Sequence, residues 1–218
     1  KADVTGGVMQ TLPGDESVKA QSIALALSSG IGVGNSMFRI GVEKDTKVDT
    51  VPFGIYKKEV FDKVGLYNPK LIRNQDIELS GRIVSAGYSI WLCPNAVCYY
   101  LARTNFRDVA KNNFGNGIWN IYLLQETRNF KILKLRHLAP LFAVVLGLVL
   151  FVTGVVYFPA GFFPLIGVAT LYIFVILYFS VKVARVKAKA CFLFYSYMLI
   201  HFSYGFGMLF GLIRFGRK

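Results

Sequence analysis

From Thr127 to Lys218 the chain has no aspartate or glutamate at all. Its 12 acidic residues all lie at or before Glu126, among 14 Lys+Arg, and the acid-free tail holds the other 11 basic residues. A basic, acid-free segment raises the possibility of a nucleic-acid interface. Here the basic residues form no stripe and sit in short clusters between long apolar runs, which argues against nucleic acid as a partner. Cysteine is scarce too: Cys93, Cys98 and Cys191 are odd in number and lack metal-ligand spacing. They read as reduced, incidental thiols rather than as a disulfide framework. No initiator Met and no signal peptide open the chain. It begins at Lys1 with the mid-domain run Ala2-Asp3-Val4-Thr5-Gly6-Gly7, so the expectation is a chain whose natural N-terminus lies further upstream.

What the tail has instead of acids is hydrocarbon. Leu138 to Phe158 and Gly161 to Ser180 are uncharged, about 20 residues each, enough to cross a core roughly 30 Å thick. A third uncharged run, Ala190 to Ile213, is softened by Ser196, His201, Ser203 and Tyr204. The expectation is a multi-pass membrane protein with lipid bilayer as a partner. Lys131, Lys134 and Arg136 precede the first run, and Lys182, Arg185, Lys187 and Lys189 separate the second from the third. The positive-inside rule then puts the first 130 residues and the 182–189 loop in the cytoplasm. The third run has two readings. A full span would leave Arg214, Arg217 and Lys218 outside, against the rule; a re-entrant or interfacial segment would not. Gly207 and Gly211 form a small-xxx-small pair suited to helix packing. His201 reads either as a functional intramembrane group or as a histidine bonded to a neighbouring helix.

Ahead of the membrane region the pattern is of alternating short strands and helices, an α/β fold class. Val4 reads as a strand ending at Gly6-Gly7, and Ser17 to Ser28 as a helix. Gly30-Ile31-Gly32-Val33-Gly34-Asn35 reads as a flexible, substrate-facing loop, since it matches no phosphate-loop or dinucleotide fingerprint. Thr50 to Tyr56 looks like a buried strand in which Gly54 allows close backbone approach. A short helix over Lys58 to Val64 leads to a turn at Gly65–Pro69. Ser89 to Pro94 is strand-like, with the proline as terminator. This divides the chain into an α/β part at 1–105, interfacial or linker helices at 106–136 and membrane helices at 137–213, placed at 138–158, 161–180 and 190–213.

The segment Asn74-Gln75-Asp76-Ile77-Glu78-Leu79 opens a helix, with Asn74 as N-cap, Leu79, Ile83 and Ala86 at core spacing, and Gly87 as the stop. Asp76 falls in the first turn, where the helix dipole and free N–H groups favour an ionised carboxylate. Such a group is either an ordinary first-turn acid or a base placed to deprotonate a hydroxyl nucleophile. A second helix, Asp108 to Gln125, groups Asn113, Asn116 and Asn120 near Val109, with Phe114, Ile118, Ile121 and Tyr122 opposite. The amide stripe is compatible with a polar crevice or with a solvated face.

Three blocks carry a resemblance: Val48-Asp49-Thr50-Val51-Pro52-Phe53-Gly54-Ile55-Tyr56-Lys57-Lys58-Glu59-Val60-Phe61, then Val64-Gly65-Leu66-Tyr67, then Arg73-Asn74-Gln75-Asp76-Ile77-Glu78-Leu79. In order and spacing they resemble the C-terminal half of a family 2 glycosyltransferase, in the membrane-bound group that assembles bacterial exopolysaccharide, of the succinoglycan-biosynthesis type. The resemblance implies the C-terminal half of a GT-A-type, Rossmann-like domain followed by about three membrane helices. It implies Asp76 as catalytic base of an inverting sugar transfer, next to Gln75 where the family usually has Glu. Gly54 matches the acceptor-side loop, and Glu78 falls within the same substrate-facing block. Lys111 to Trp119 is a loose relative of the QxxRW motif, with Asn112 at the Gln position and no Arg before Trp119. This adds Asn112, Asn116 and Trp119 as substrate-binding positions without implying processivity. The implied partners are a nucleotide-sugar donor and a lipid-linked saccharide acceptor. The family binds its donor through a DxD motif and a divalent metal (Mg or Mn). No DxD occurs in this sequence, so ligation is expected mainly from residues outside it, with no metal ligand assigned here. The implied setting is the inner membrane with the catalytic part cytoplasmic. The alternative is a non-catalytic membrane protein, a transporter subunit or saccharide-binding scaffold; spans one and two have almost none of the polar residues a transporter needs.

Overall fold

The computed structural model describes residues 2–184 and 189–216. In chain order the elements are β1 (Val4–Leu12), α1 (Val18–Leu27), α2 (Gly30–Val33), α3 (Met37–Ile40), β2 (Thr46–Val48), β3 (Ile55–Tyr56), α4 (Lys58–Val64), α5 (Gln75–Ser85), β4 (Ile90–Leu101), α6 (Phe106–Thr127), α7 (Leu135–Val156), α8 (Phe158–Val183) and α9 (Ala190–Phe215). The four strands form one mixed sheet ordered β2-β4-β1-β3, with β1 and β4 parallel and the two short edge strands antiparallel to them. Three long apolar helices follow the α/β part.

The central strands outrun what their local sequence suggests. β1 does not end at Gly6-Gly7 but continues to Leu12. A Cβ on Gly6 would stand 2.5 Å from the Val51 side chain, and one on Gly7 2.3 Å from the Ala96 carbonyl. The glycines therefore serve close packing rather than chain reversal. Nor does Pro94 end β4. Gly7 pairs with Cys93 and Val8 with Val97, which leaves Pro94, Asn95 and Ala96 as a bulge where a missing N–H costs no ladder bond.

The strand expected over Thr50 to Tyr56 shrinks to Ile55–Tyr56. Phe53 adopts a left-handed conformation (φ 49°), which breaks the extended run after Pro52. Val51 nonetheless joins Val4, Val60, Leu79, Ile83, Ile90 and Leu92 in the core between sheet and helices. Ala86, expected in that core, is exposed. The stretch after Ser29 is not a loop but the helical turn α2, capped by the Ser29 hydroxyl, with Gly32 against the backbone of Ala26.

α7 and α8 form a hairpin with Tyr157 alone between them, tighter than the expected gap. They cross at Gly154 and Gly161, where a Cβ on Gly161 would come within 1.9 Å of the Gly154 nitrogen. α9 is one uninterrupted helix of 26 residues, about 39 Å long, long and apolar enough to be a third candidate span. It packs against α1, α6, α7 and α8, and a second core joins Ile23 and Ala24 of α1 to Val109, Ile176, Leu193, Tyr197 and Ile200. α6 and α9 approach through Gly117 and Gly207, so the small-residue signal at Gly207 and Gly211 marks a real helix crossing. The basic loop expected in the cytoplasm falls in part on residues 185–188, outside the described residues, as do Arg217 and Lys218.

Candidate functional site

The site is built where α5, α6 and the apolar helices meet. Asn74 precedes α5 in the left-handed region (φ 60°), which asparagine tolerates better than most residues. Its side chain does not cap α5, contrary to the expectation from sequence. Instead its amide donates to the Asn116 carbonyl at 3.1 Å and to Asn120 Oδ1 at 2.6 Å. Asn120 is fully buried and donates in turn to the Tyr204 hydroxyl of α9. Arg73 donates through Nη1 to Asn112 Oδ1 and Asn116 Oδ1, each at 3.0 Å. The amide stripe is therefore a seam tying the mouth of α5 to α6 and α9. A merely solvated face would not bury Asn120.

This seam places Asp76, exposed in the first turn of α5, on the wall of a cavity of about 460 Å³. Asn74, Asn113 and Asn116 line the same cavity, as do Arg39 of α3 and Arg136 of α7. Its other wall is membrane-helix surface: Ala139, Pro140 and Ala143 of α7, Tyr172 of α8 and Ile200 of α9. Asp76 is the one carboxylate on the lining among the described residues. Arg136 is already paired, through Nη2 to Asp49 Oδ2 at 2.6 Å and through Nη1 to Asn35 Oδ1 at 3.2 Å. Gly34 (φ 61°) makes room for it, since a Cβ there would stand 2.8 Å from the Arg136 Cβ. His201 is bonded to its neighbours. A carbonyl can only accept, so Nε2 donates to the Ile31 carbonyl at 2.7 Å and Nδ1 accepts from the Tyr172 hydroxyl at 3.0 Å.

Of the residues singled out in the sequence, Asp76 and Asn116 meet on the cavity wall, and Asn112 lines a smaller chamber beside it. The other four lie outside that lining. Glu78 is buried and holds Arg82 through two bonds of 2.7 and 2.9 Å, while Arg82 donates to the Val64 and Leu66 carbonyls at the end of α4. Gln75 is exposed and its amide donates to the Leu71 carbonyl. Gly54 is half-buried beside β3, against the side chains of Val51 and Tyr56. Trp119 packs edge-on to Tyr122, ring centroids 5.0 Å apart, in a small cluster with Leu71, Leu123 and Ile132.

Arg39 and Tyr172 escaped the sequence reading. Arg39 is one cation inside the apolar run Met37-Phe38-Arg39-Ile40, the only local signal available. Among the described residues no three His, Cys, Asp or Glu side chains gather to hold one metal ion. With Asp76 the sole carboxylate in the cavity, these residues do not fit a divalent metal, and no chemical step is assigned to one. The chain matches no protein-family model and no curated protein. Fold and site together define a membrane protein: an α/β part with a four-stranded mixed sheet, then three candidate spans.

Proposed function

We propose that this chain serves an inverting glycosyltransferase that moves a sugar from a nucleotide-sugar donor onto a lipid-linked saccharide, in the synthesis of cell-surface or extracellular polysaccharide. The observation that carries the reading is the position of Asp76. An exposed carboxylate at a helix mouth opens into a cavity whose opposite wall belongs to apolar helices. A saccharide on a lipid could lie there with its sugar at the polar end and its chain along the helices. Asp76 would accept the proton of the acceptor hydroxyl as that oxygen attacks the anomeric carbon. The bond from that carbon to the nucleotide diphosphate breaks, and the diphosphate leaves with the electron pair. The amides of Asn74, Asn113 and Asn116 offer donors and acceptors for sugar hydroxyls on the same wall. The reading places the site at the cytoplasmic face of the inner membrane, on the strength of the basic residues flanking the spans.

Transfer of radiolabelled sugar to a lipid-linked acceptor, in membranes carrying wild type or Asp76→Asn, tests the reading. Loss of a positioned base should lower turnover by roughly 10²–10⁴ while the protein stays folded. Near-normal turnover in Asp76→Asn would remove Asp76 from the chemistry. A rival reading, a scaffold that holds saccharide without catalysis, draws on the same amide-lined wall. Under it, wild type binds the lipid-linked saccharide and transfers nothing.

A further inference from the structure

Arg39 is a half-buried cation with no ion-pair partner among the described residues. Its Nη1 is buried and has no hydrogen-bond partner among them. The guanidinium is held in place by aromatic faces, 5.1 Å from the centroid of Tyr100 and 5.6 Å from that of Phe38. Arg103 donates to the Tyr100 hydroxyl at 2.9 Å. Burial pushes the Arg39 guanidinium below its ordinary pKa, with Tyr100 and Asp76 opposing that shift. Leaving a charge in such surroundings is costly unless an anion completes it.

Both arginines line the chamber of about 120 Å³ that adjoins the main cavity. Asn112 and Asn116 line it as well. Arg73 occupies the Oδ1 atoms of both, which fixes their amide orientation and leaves their NH₂ groups to donate. Two guanidiniums and two amide donors suit a group with more than one negative charge and several acceptor oxygens, which is a phosphate rather than a single carboxylate. The chamber and the main cavity share Val33, Arg39, Asn113 and Asn116, and the main cavity runs on to the apolar surfaces of α7 and α9. An anion bound at Arg39 can therefore carry a hydrocarbon chain along those helices.

We infer that Arg39 and Arg103, with the amides of Asn112 and Asn116, form a phosphate subsite for the lipid-linked acceptor, receiving the phosphate that joins saccharide to lipid. This rests on the acceptor named in the proposed function, and the donor diphosphate is the competing source of the same chemistry. Binding of farnesyl phosphate, farnesol and UDP to the purified full chain in neutral-lipid nanodiscs separates the sources. Wild type should bind farnesyl phosphate at least tenfold more tightly than farnesol. Arg39→Gln should lose roughly ten- to a hundredfold of farnesyl phosphate affinity and little of farnesol affinity. Arg39→Lys should recover part of that loss. Arg103→Gln, which leaves Arg39 in place, should show a smaller loss and serves if Arg39→Gln fails to fold. Equal binding of farnesyl phosphate and farnesol to wild type overturns the subsite. So does an Arg39→Gln variant that loses UDP and keeps farnesyl phosphate, which would hand the arginines to the donor. Binding is read without turnover, so a failed Asp76→Asn experiment leaves this result standing, and the reverse also holds.

Discussion

Asn74 and Asn120 lie 46 positions apart and are joined by a hydrogen bond of 2.6 Å from Asn74 Nδ2 to Asn120 Oδ1. Because Asn120 also donates to Tyr204, one buried amide links α5, α6 and α9. Asn120→Leu keeps the branched shape and the heavy-atom count of the side chain but removes its polar atoms, and strands the Asn74 amide and the Tyr204 hydroxyl. The cost should be about 1–3 kcal/mol for each group left unsatisfied. Thermal unfolding in detergent checks the stability loss. A transfer assay on the folded fraction should show impaired turnover, since Asp76 sits two residues from the lost anchor.

Gly207 stands against the Phe114 backbone, where an added Cβ would meet the carbonyl oxygen at 2.2 Å. Gly207→Ala should force α9 away from α6 and cost about 1–3 kcal/mol. Gly167 on α8 has nothing within 4 Å of an added Cβ, so Gly167→Ala should be neutral or slightly stabilising. Comparing the two unfolding temperatures tests whether α9 is packed against α6 as described. Equal effects would contradict it.

Glu78 and Asp76 are two residues apart and should fail differently. Glu78→Gln loosens Arg82 from the end of α4 and should cost on the order of 2 kcal/mol of stability, since Glu78 is 3% exposed. The turnover of the folded fraction should stay near wild type. Asp76→Asn should show the opposite: near-normal stability and lost turnover. Unfolding curves and transfer rates on both variants separate structural from chemical roles.

Asp3 supplies a pH-dependent contact near the start of β1. The Ser89 backbone N–H and hydroxyl donate to its carboxylate at 2.9 and 2.8 Å, and Lys57 stands at 3.1 Å; these hold its pKa at about 2, below the ordinary 3.8. A depressed folded pKa means the contribution is full above the unfolded value and fades as pH falls from 3.8 through about 2. Asp3→Ala should therefore lower the unfolding temperature at pH 7 and make little difference near pH 2. A constant deficit across that range would show that the loss is one of packing rather than charge.

Much of the plan was legible in order along the chain. Two uncharged runs and a softer third one announce three long helices, because crossing a hydrocarbon layer demands local composition that a sequence states directly. The helix near Ser17 and the core position of Leu79 could be placed because helical periodicity acts over three or four residues. The amide row on α6 was visible for the same reason. Its purpose was not, because Asn74 and Tyr204, which give it one, come from elements far away in sequence.

Sequence by itself determined which segments are apolar, where the acids stop, and that a carboxylate opens α5. Tertiary structure alone decided where β1 and β4 end, since each strand is carried past its Gly or Pro by the partner it pairs with. It also decided that Glu78 is committed to Arg82 and that Arg39, among the described residues, enters no ion pair. The physical reason is range. Propensity and hydropathy are written in neighbouring residues, whereas burial, pairing and the cost of an unmatched charge depend on what the rest of the chain brings alongside.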